Sequence, residues 1–585
     1  MTIAIETLEK QAKEWMVNDI DKNSIQEIQS LLDAKNFDEL EDRFYTEIDF
    51  GTAGMRGLLE AGANRMNEAN VVKTTQALAT VIRSQINGKN KVVVGFDGRH
   101  KSSYFAQLTT QVLLANDFEV ILFEETVPTP VCAYTLKKSG AAAAVVITAS
   151  HNPPKYNGYK VYWDNGAQII SPIDSMIRDQ RNFLGSAKNV TLANLEEARQ
   201  KGKIEKGDPY FEKYTNDVIK FVAFDFNRDG RKDLSIVYTA MHGVGSKTIQ
   251  KVFSQGEFSK LHLVEEQDKP DPNFSTVKFP NPEEKGAMDL AFKLATRVKA
   301  DIVIANDPDA DRLAIAIPFD DDKYHMLTGN QVGTIMAHEL LQKSENVEKA
   351  LVINTIVSTS MLEKLANHFG AKYLSTLTGF KWIANLGLKK ADDENLDFVM
   401  GFEEALGYCI GRLVADKDGI SAAYFFAALA ASLKSKGSSL LTYLNDIYRK
   451  VGYHMSTQEN FWFEGAEGQK KMLEFMEYAR KNPPQEFNGK KVLVKTDLFK
   501  GSQEVIVTKE EIKLDYPRQN VLWFDYEGGH RMIIRPSGTE PKLKIYYEVC
   551  EAVGVNEEML SVVNKAKVTI NQMIEKRKEI YSQLD

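Results

Sequence analysis

Short apolar runs, each closed by a polar turn and followed by a helical stretch, recur in three rounds between residues 91 and 369. Strands that alternate with helices in this way predict parallel sheets covered by helices. The first round is Lys91-Val92-Val93-Val94-Gly95-Phe96, ending in Asp97-Gly98-Arg99, then a helix over 102–115 and strands over 118–123 and 142–148. The second has strands over 234–238, 260–264 and 301–305, with helices over 244–253 and 287–295. After the charged turn Asp320-Asp321-Asp322-Lys323 a third round follows, with helices over 331–342 and 361–369 and a strand over 350–353, and it closes near 434–439. The texture then changes. Residues 491–494, 531–534 and 542–548 alternate like half-exposed antiparallel strands, and a final helix spans 557–581.

The expected fold is therefore α/β, with three similar α/β units and a C-terminal α+β unit. The 585 residues agree, since domains average roughly 150 residues and four are then expected. Residues 5–47 read as two amphipathic helices, a surface extension. The expected boundaries are 1–45 for that extension, then 46–205, 206–318, 319–450 and 451–585. The units resemble one another in pattern only.

Several function classes fall away on composition. A net charge of −8 disfavours nucleic acid and anionic membrane as partners, although a small anionic substrate needs only local cations. Cys132, Cys409 and Cys550 form no C-x-x-C pair, so neither a disulfide framework nor a zinc site is expected. The first eleven residues carry acids and no apolar core, unlike a signal peptide. The most apolar stretch, 422–433, is too short to span a bilayer and reads as a buried helix. A cytoplasmic location is expected.

Three motifs carry chemistry. Thr148-Ala149-Ser150-His151-Asn152-Pro153-Pro154 follows a strand and places a Ser–His pair in a proline-stiffened loop, continued by Lys155 to Lys160. Loops at the carboxyl ends of parallel strands commonly hold function. The hydrolase elbow G-x-S-x-G does not fit here, and a turn built on local Ser and Asn bonds is the plain alternative. The second motif is Asn306-Asp307-Pro308-Asp309-Ala310-Asp311-Arg312, after the strand of the second round. In an extended segment alternate residues point the same way, and three converging carboxylates repel unless a cation sits among them. Counted from Asp307, Arg312 and Pro318 occupy the positions where an EF-hand needs Gly and Glu, so Mg²⁺ fits better than an EF-hand Ca²⁺. The third motif is Arg535-Pro536-Ser537-Gly538-Thr539-Glu540-Pro541-Lys542, with donors and a glycine that suit an anion nest or an ordinary β-turn. Weaker signals are Gly51 to Gly57 with Arg56, the loop Thr378-Gly379-Phe380-Lys381-Trp382, and Gly401-Phe402-Glu403-Glu404-Ala405-Leu406-Gly407. No phosphate-binding P-loop is present, and His338-Glu339 lacks the second His of a zincin.

Taken together and in this order, 148–158, 307–312, 401–407 and 535–539 resemble the α-D-phosphohexomutase family. The resemblance spans about 50–547, and the long N-terminal helices resemble a branch holding phosphoglucomutases and phosphopentomutases. It implies four domains around a central cleft, each giving one loop. Ser150 matches the phosphoserine, which completes an Mg²⁺ site with Asp307, Asp309 and Asp311. Arg312 follows as in the family, and Glu403 matches the carboxylate that binds sugar hydroxyls. Arg535, Ser537, Gly538 and Thr539 match the loop that grips phosphate, while Thr378, Gly379 and Lys381 are expected to contact substrate. Lys160 and Lys417 match positions given to acid–base or phosphate contacts, and Arg56 matches an N-terminal contact near the serine. Two departures are Pro308, where the metal loop often has Gly, and Ala405, where many members carry a Ser in the sugar loop.

The implied activity is a mutase interconverting glucose 1-phosphate and glucose 6-phosphate, with Mg²⁺ as cofactor and glucose 1,6-bisphosphate as intermediate and activator. Mannose and pentose phosphates are the rival substrates, and a metal-dependent sugar phosphatase is the rival reaction. His151, Lys160 and Lys417 are the candidates for proton transfer, and the sequence does not rank them. The implied partners are small sugar phosphates, in a monomer or dimer.

Overall fold

A computed structural model describes residues 3–584 except 52–53, 223–225, 227, 229, 320–322, 464 and 538–541. The expected charged turn Asp320 to Asp322 thus lies outside the described residues. Two compact units emerge, one of residues 2–332 with 379–440, the other of 333–378 with 441–585.

In the first unit a mixed sheet has the strand order Phe50–Gly51, Gly54–Leu58, Tyr156–Trp163, Ala143–Ile147, Lys91–Phe96, Glu119–Leu122, Ile204–Lys206. Its centre is parallel: Lys91–Phe96 runs with both Glu119–Leu122 and Ala143–Ile147. Those strands are buried on both faces, which explains their unbroken apolar runs. The stretch 155–160, expected as loop, instead runs from Tyr156 into the strand Tyr156–Trp163, whose first residues pair antiparallel with Gly54–Leu58 and whose last pair antiparallel with Ala143–Ile147. The prolines made it look irregular, although they end before the strand begins.

The second sheet of this unit has the order Tyr324–Met326, Ala314–Pro318, Ile302–Ala305, Ser235–Thr239, Lys260–Leu263. Ile302–Ala305 is parallel to Ser235–Thr239 and antiparallel to Ala314–Pro318, so the chain reverses within the Asp307 loop. The hairpin Asp397–Glu403 with Gly407–Ile410 and the helix Gly419–Ser435 complete the unit. Every residue from Gly419 to Leu433 is buried, as an all-round apolar helix requires. Asp418 caps it by accepting from the Ile420 and Ser421 amides.

The N-terminal extension has three helices rather than two, Ile5–Asn18, Lys22–Asp33 and Phe37–Phe44. Asn36 starts the third by accepting from the Glu39 amide. Leu8, Ala12, Ile28, Leu40 and Phe44 pack into a small core of their own with Ala61.

In the second unit Ala350–Thr355 runs parallel to Lys372–Thr376. The C-terminal strands form an antiparallel sheet that runs in order from the edge strand Tyr453–Trp462 through Lys542–Glu551, His530–Pro536 and Leu522–Tyr526 to Lys490–Asp497. The helix Met559–Ile580 contributes Val562, Ala566, Ile570 and Met573 to its core. Among the described residues no helix is long and apolar enough to cross a membrane.

Gly158 permits the close strand packing beneath the Ser150 loop. A Cβ there would lie 2.5 Å from the Thr148 carbonyl oxygen and 2.7 Å from that of Met55. Backbone on both sides cannot yield as a side chain would. Gly158→Ala is expected to cost about 1–3 kcal/mol, as overpacking does, and a lowered thermal transition of the purified variant checks it.

Candidate active site

Ser150 stands at the end of a fully buried strand. Its backbone is left-handed, with φ 53°, an uncommon and strained state for a residue with a side chain. The Thr148 hydroxyl holds that turn by accepting from the Ser150 amide at 2.8 Å. From the neighbouring strand end, Arg99 clamps the loop. Its guanidinium donates to the carbonyls of Ser150 (2.5 Å), Asn152 (2.6 Å), Pro153 (2.9 Å) and Tyr156 (3.2 Å). Asp97 pairs with Arg99 at 3.2 Å, and both are buried.

The loop presents two groups on Ser150 Oγ. The hydroxyl donates to Asp307 Oδ2 at 2.7 Å, and His151 Nδ1 lies 3.3 Å away. Burial, then the charges of Arg312 and Arg56, push the His151 imidazole well below its usual range, so it is neutral. Arg56 donates to the Asn152 side chain at 2.9 Å, while its Nε, though buried, has no partner.

Asp307, Asp309 and Asp311 converge, each offering one carboxylate oxygen within 4.8 Å of the other two. They do so through a turn rather than the extended segment expected from alternate spacing. The Ala310 amide donates back to the Asp307 carbonyl at 2.9 Å, and Ala310 takes φ 56°. Gly243 lies against this turn so closely that a Cβ would stand 2.4 Å from Pro308 Cα. Asn306 ties off the far end by donating to the Arg312 carbonyl at 2.6 Å.

All three carboxylates are buried, and cations surround them. Lys160 Nζ contacts Asp309 at 2.6 Å and Asp311 at 2.8 Å, and Lys417 Nζ contacts Asp311 at 3.2 Å. Arg312 Nε stands 3.9 Å from Asp307 and 4.0 Å from Asp311. Thr129 donates to Asp309 at 2.7 Å. Burial, followed by the charges of Asp309 and Asp311, pushes Asp307 well above the usual carboxylate range. Asp309 goes the other way, because Lys160 overcomes the burial that opposes its ionisation. Asp309 Oδ1 and Asp311 Oδ1 are buried without a hydrogen-bond partner. Such atoms require an explanation in a folded protein. An all-oxygen donor set with orphaned carboxylate oxygens fits a hard divalent cation such as Mg²⁺.

Lys417 is itself held in place. Asp416 lies 3.5 Å from it and accepts from Tyr162 at 2.6 Å and Gln168 at 2.8 Å. Glu403 ends its strand nearby, and burial, partly offset by Lys417, raises its pKa.

Family models cover most of the chain. Domains I, II and III of the phosphoglucomutase/phosphomannomutase α/β/α type match residues 47–184, 208–318 and 328–451, and the C-terminal domain matches 479–565. The chain belongs to the phosphoglucomutase/phosphomannomutase family. A Mus musculus phosphopentomutase is 34% identical over 571 residues, covering 94% of this chain and 91% of its own. A Staphylococcus aureus (strain MRSA252) phosphoglucomutase is 33% identical over 508 residues, covering 87% and 90%. A probable phosphoribomutase of Schizosaccharomyces pombe is 34% identical over 554 residues, covering 92% and 93%. The fold agrees with the open form of parafusin, a phosphoglucomutase from Paramecium, at a TM-score of 0.68 and 20% identity, with 91% of this chain and 96% of that one covered. The protein is thus a member of a phosphomutase enzyme family, and these relatives differ in the sugar they are named for.

Within this family fold, the first unit gathers most of the residues singled out by sequence: Ser150, His151, Lys160, Lys417, Arg56, the three aspartates, Arg312 and Glu403. Gly379 opens the helix Phe380–Glu394 at φ 114°. Lys381 donates from that helix to the Gly51 carbonyl at 3.2 Å, and Asp174 lies 3.9 Å from it. Thr378 belongs to the second unit, where its buried Oγ1 has no partner. Arg535, also in the second unit, is buried on its strand and donates to the Tyr546 hydroxyl at 3.4 Å. The Ser537 amide donates to the Lys542 carbonyl at 2.8 Å. Gly538 and Thr539 lie outside the described residues.

Arg99, Thr129 and the Tyr162–Asp416–Gln168 group escaped the sequence reading. Arg99 had a legible signal, a charged pair directly after a buried strand, the context that marks the Asp307 loop. Thr129 had none. Since Arg99 supports four carbonyls of the Ser150 loop without touching Oγ, Arg99→Ala is expected to misplace the serine. Loss of about 100-fold in kcat is the scale of such misplacement. Steady-state turnover of a sugar phosphate, with circular dichroism to confirm folding, checks it.

Proposed function

We propose that this protein interconverts glucose 1-phosphate and glucose 6-phosphate through a phosphoserine at Ser150 and a glucose 1,6-bisphosphate intermediate. The observation that carries this reading is the 2.7 Å contact of Ser150 Oγ with Asp307. It puts a nucleophile-bearing hydroxyl at the rim of a buried oxygen-rich cluster, where a transferring phosphoryl group meets cations.

Asp307, Asp309 and Asp311, with an oxygen of the serine phosphate, would hold Mg²⁺. Bound there, Mg²⁺ neutralises charge on the phosphoryl group. Phosphoryl transfer needs positioning and charge stabilisation above all, and the chain's own residues are suited to both. Lys160, Lys417 and Arg312 face the cluster as cations. Neutral His151, 3.3 Å from Ser150 Oγ, is placed to exchange a proton at the serine oxygen, and Lys160 and Lys417 are the other candidates for the proton of the attacking sugar hydroxyl. Glu403 accepts from sugar hydroxyls. Arg56 adds charge beside the serine, and Thr378, Gly379 and Lys381 contact substrate. Arg535, Ser537, Gly538 and Thr539 grip the phosphate that is not being transferred, a requirement of a mutase and not of a phosphatase.

Charge balance links metal to phosphoserine. With all three carboxylates ionised, as a bound cation requires, Asp307, Asp309 and Asp311 face Lys160, Lys417 and Arg312, three charges of each sign. A divalent cation adds two positive charges, and a dianionic phosphate on Ser150 cancels them. Mg²⁺ is therefore expected to bind more tightly to the phosphorylated protein, by roughly 5–150-fold if the coupling is of ordinary size. Titration calorimetry of the phosphorylated and dephosphorylated forms checks this, and equal affinities would contradict it.

The phosphopentomutase and phosphoribomutase relatives favour a second reading, with a pentose 1-phosphate as substrate. A phosphorus NMR time course with Mg²⁺, glucose 1-phosphate and a trace of glucose 1,6-bisphosphate tests the first. The glucose 6-phosphate signal is expected to grow with the native protein and to be absent with Ser150→Ala or after chelation of the metal. Inorganic phosphate alone would point to a phosphatase. A higher kcat/KM for ribose 1-phosphate than for glucose or mannose 1-phosphate would decide for the pentose.

A further inference from the structure

The second unit carries a nucleophilic cluster that the phosphomutase reading leaves unused. Cys550 lies near the end of the strand Lys542–Glu551, and His454 is its direct partner on the neighbouring strand. Cys550 Sγ is 2.7 Å from Lys364 Nζ and 3.4 Å from His454 Nε2. Lys364 comes from the helix Met361–Phe369, far away in sequence. The Cys550 amide is fixed as well, donating to His530 Nδ1 at 3.1 Å. Behind His454 stands Glu548, 3.5 Å from its Nδ1 and paired with Arg531 at 2.6 Å.

These contacts make the thiol acidic. Burial opposes its ionisation, yet hydrogen bonds and charge from His454 and Lys364 hold it below the usual thiol range. The other two cysteines differ. Cys132 and Cys409 are buried, and burial pushes both thiols up. Cys550 is only partly buried. Two glycines border it: a Cβ on Gly452 would stand 3.5 Å from Sγ, and one on Gly529 would stand 3.8 Å from both Cys550 Cβ and Lys364 Nζ. Thiolate character together with access for a small oxidant marks an oxidisable cysteine.

We propose that Cys550 is a site of peroxide oxidation and that Lys364 captures the oxidised sulfur, forming an S–N bond between the helix Met361–Phe369 and the strand Lys542–Glu551. The Cys550 thiolate attacks one oxygen of hydrogen peroxide. The S–O bond forms, the O–O bond breaks, and the departing hydroxide takes a proton from the Lys364 ammonium to leave as water. The sulfur is oxidised by two electrons to a sulfenic acid, the peroxide is reduced, and Lys364 is left as a free amine beside the new electrophile. Nζ then attacks sulfur, the S–O bond breaks, and the hydroxide leaves with a proton from Nζ as a second water. Thiolate, ammonium and one peroxide thus give one sulfenamide and two waters. The contact that hydrogen-bonds the thiolate also supplies the proton and then the nucleophile.

The test uses the full chain, treated with hydrogen peroxide and digested without reductant. Mass spectrometry is expected to find the Lys364 peptide joined to the Cys550 peptide at the sum of their masses less two hydrogen atoms, and the pair is expected to separate on adding dithiothreitol. Cys132 and Cys409 are expected to stay free to alkylation. In Lys364→Gln the joined peptide is expected to disappear, with dimedone trapping a sulfenic acid at Cys550 in its place. Full retention of the free Cys550 thiol in the native protein would overturn the proposal, and so would oxidation of Cys550 without the joined peptide. Both outcomes are read on the native protein, so the proposal does not depend on the variant folding.

Discussion

Three buried aspartates on one tight turn are the constraint around which the first unit is arranged. Carboxylates with oxygens within 4.8 Å of one another, closed off from solvent, are not tolerated unless opposite charges reach them. Those charges come from separate stretches of chain. Lys160 reaches in from the strand that returns from the Ser150 loop, Lys417 from the segment before the buried helix Gly419–Ser435, and Arg312 from the turn itself. Breaking any one pair would leave an uncompensated buried charge, a far larger penalty than losing a surface ion pair. The cluster therefore fixes the relative placement of segments more than a hundred residues apart in sequence, and the serine is fixed with it.

Around the cluster, side chains bond to backbone carbonyls and amides in a consistent way. Arg99 holds the Ser150 loop, Asn306 holds the end of the aspartate turn, and Asp418 caps the helix behind Lys417. Each saturates backbone groups that a non-repetitive loop would otherwise bury unpaired. The left-handed backbone at Ser150 persists because these bonds over-determine it. The unit is thus built to hold charged groups at fixed positions, as electrostatic catalysis of phosphoryl transfer demands.

The extent to which this was legible follows from the physics of each element. Strands buried on both faces announced themselves as unbroken apolar runs, and Lys91–Phe96 and Ala143–Ile147 are where the sequence placed them within a residue or so. The helices Ser102–Ala115 and Met361–Phe369 match the expected spans at both ends, since each begins and ends on a clear change of pattern. The strand Tyr156–Trp163 was missed because Pro153 and Pro154 dominated the local reading and because its burial comes from tertiary neighbours. The third N-terminal helix was missed because it is short and mostly charged, with a narrow apolar stripe. At the site, motifs in loops were visible because their residue types are unusual beside buried strands. Thr129 and Asp416 act across the fold on partners far away in sequence, and no local pattern encodes such a contact, whereas Arg99 at least stands in a charged pair directly after a buried strand.

The same distinction bears on Ala405, the departure in the sugar loop. Its carbonyl accepts from Arg312 Nη1 at 2.9 Å, and the next residue's carbonyl accepts from the Leu313 amide at 3.0 Å. The loop is therefore anchored to the aspartate turn through its backbone, which any side chain at position 405 would leave in place. On the proposed function, in which this loop receives the sugar, a methyl where a hydroxyl could stand removes one polar contact with the ligand while sparing the scaffold. Substrate choice can then drift at such a position without disturbing the charge cluster. A fold that separates its charge-holding backbone contacts from its ligand-facing side chains in this way can keep one phosphoryl-transfer centre and exchange the sugar presented to it.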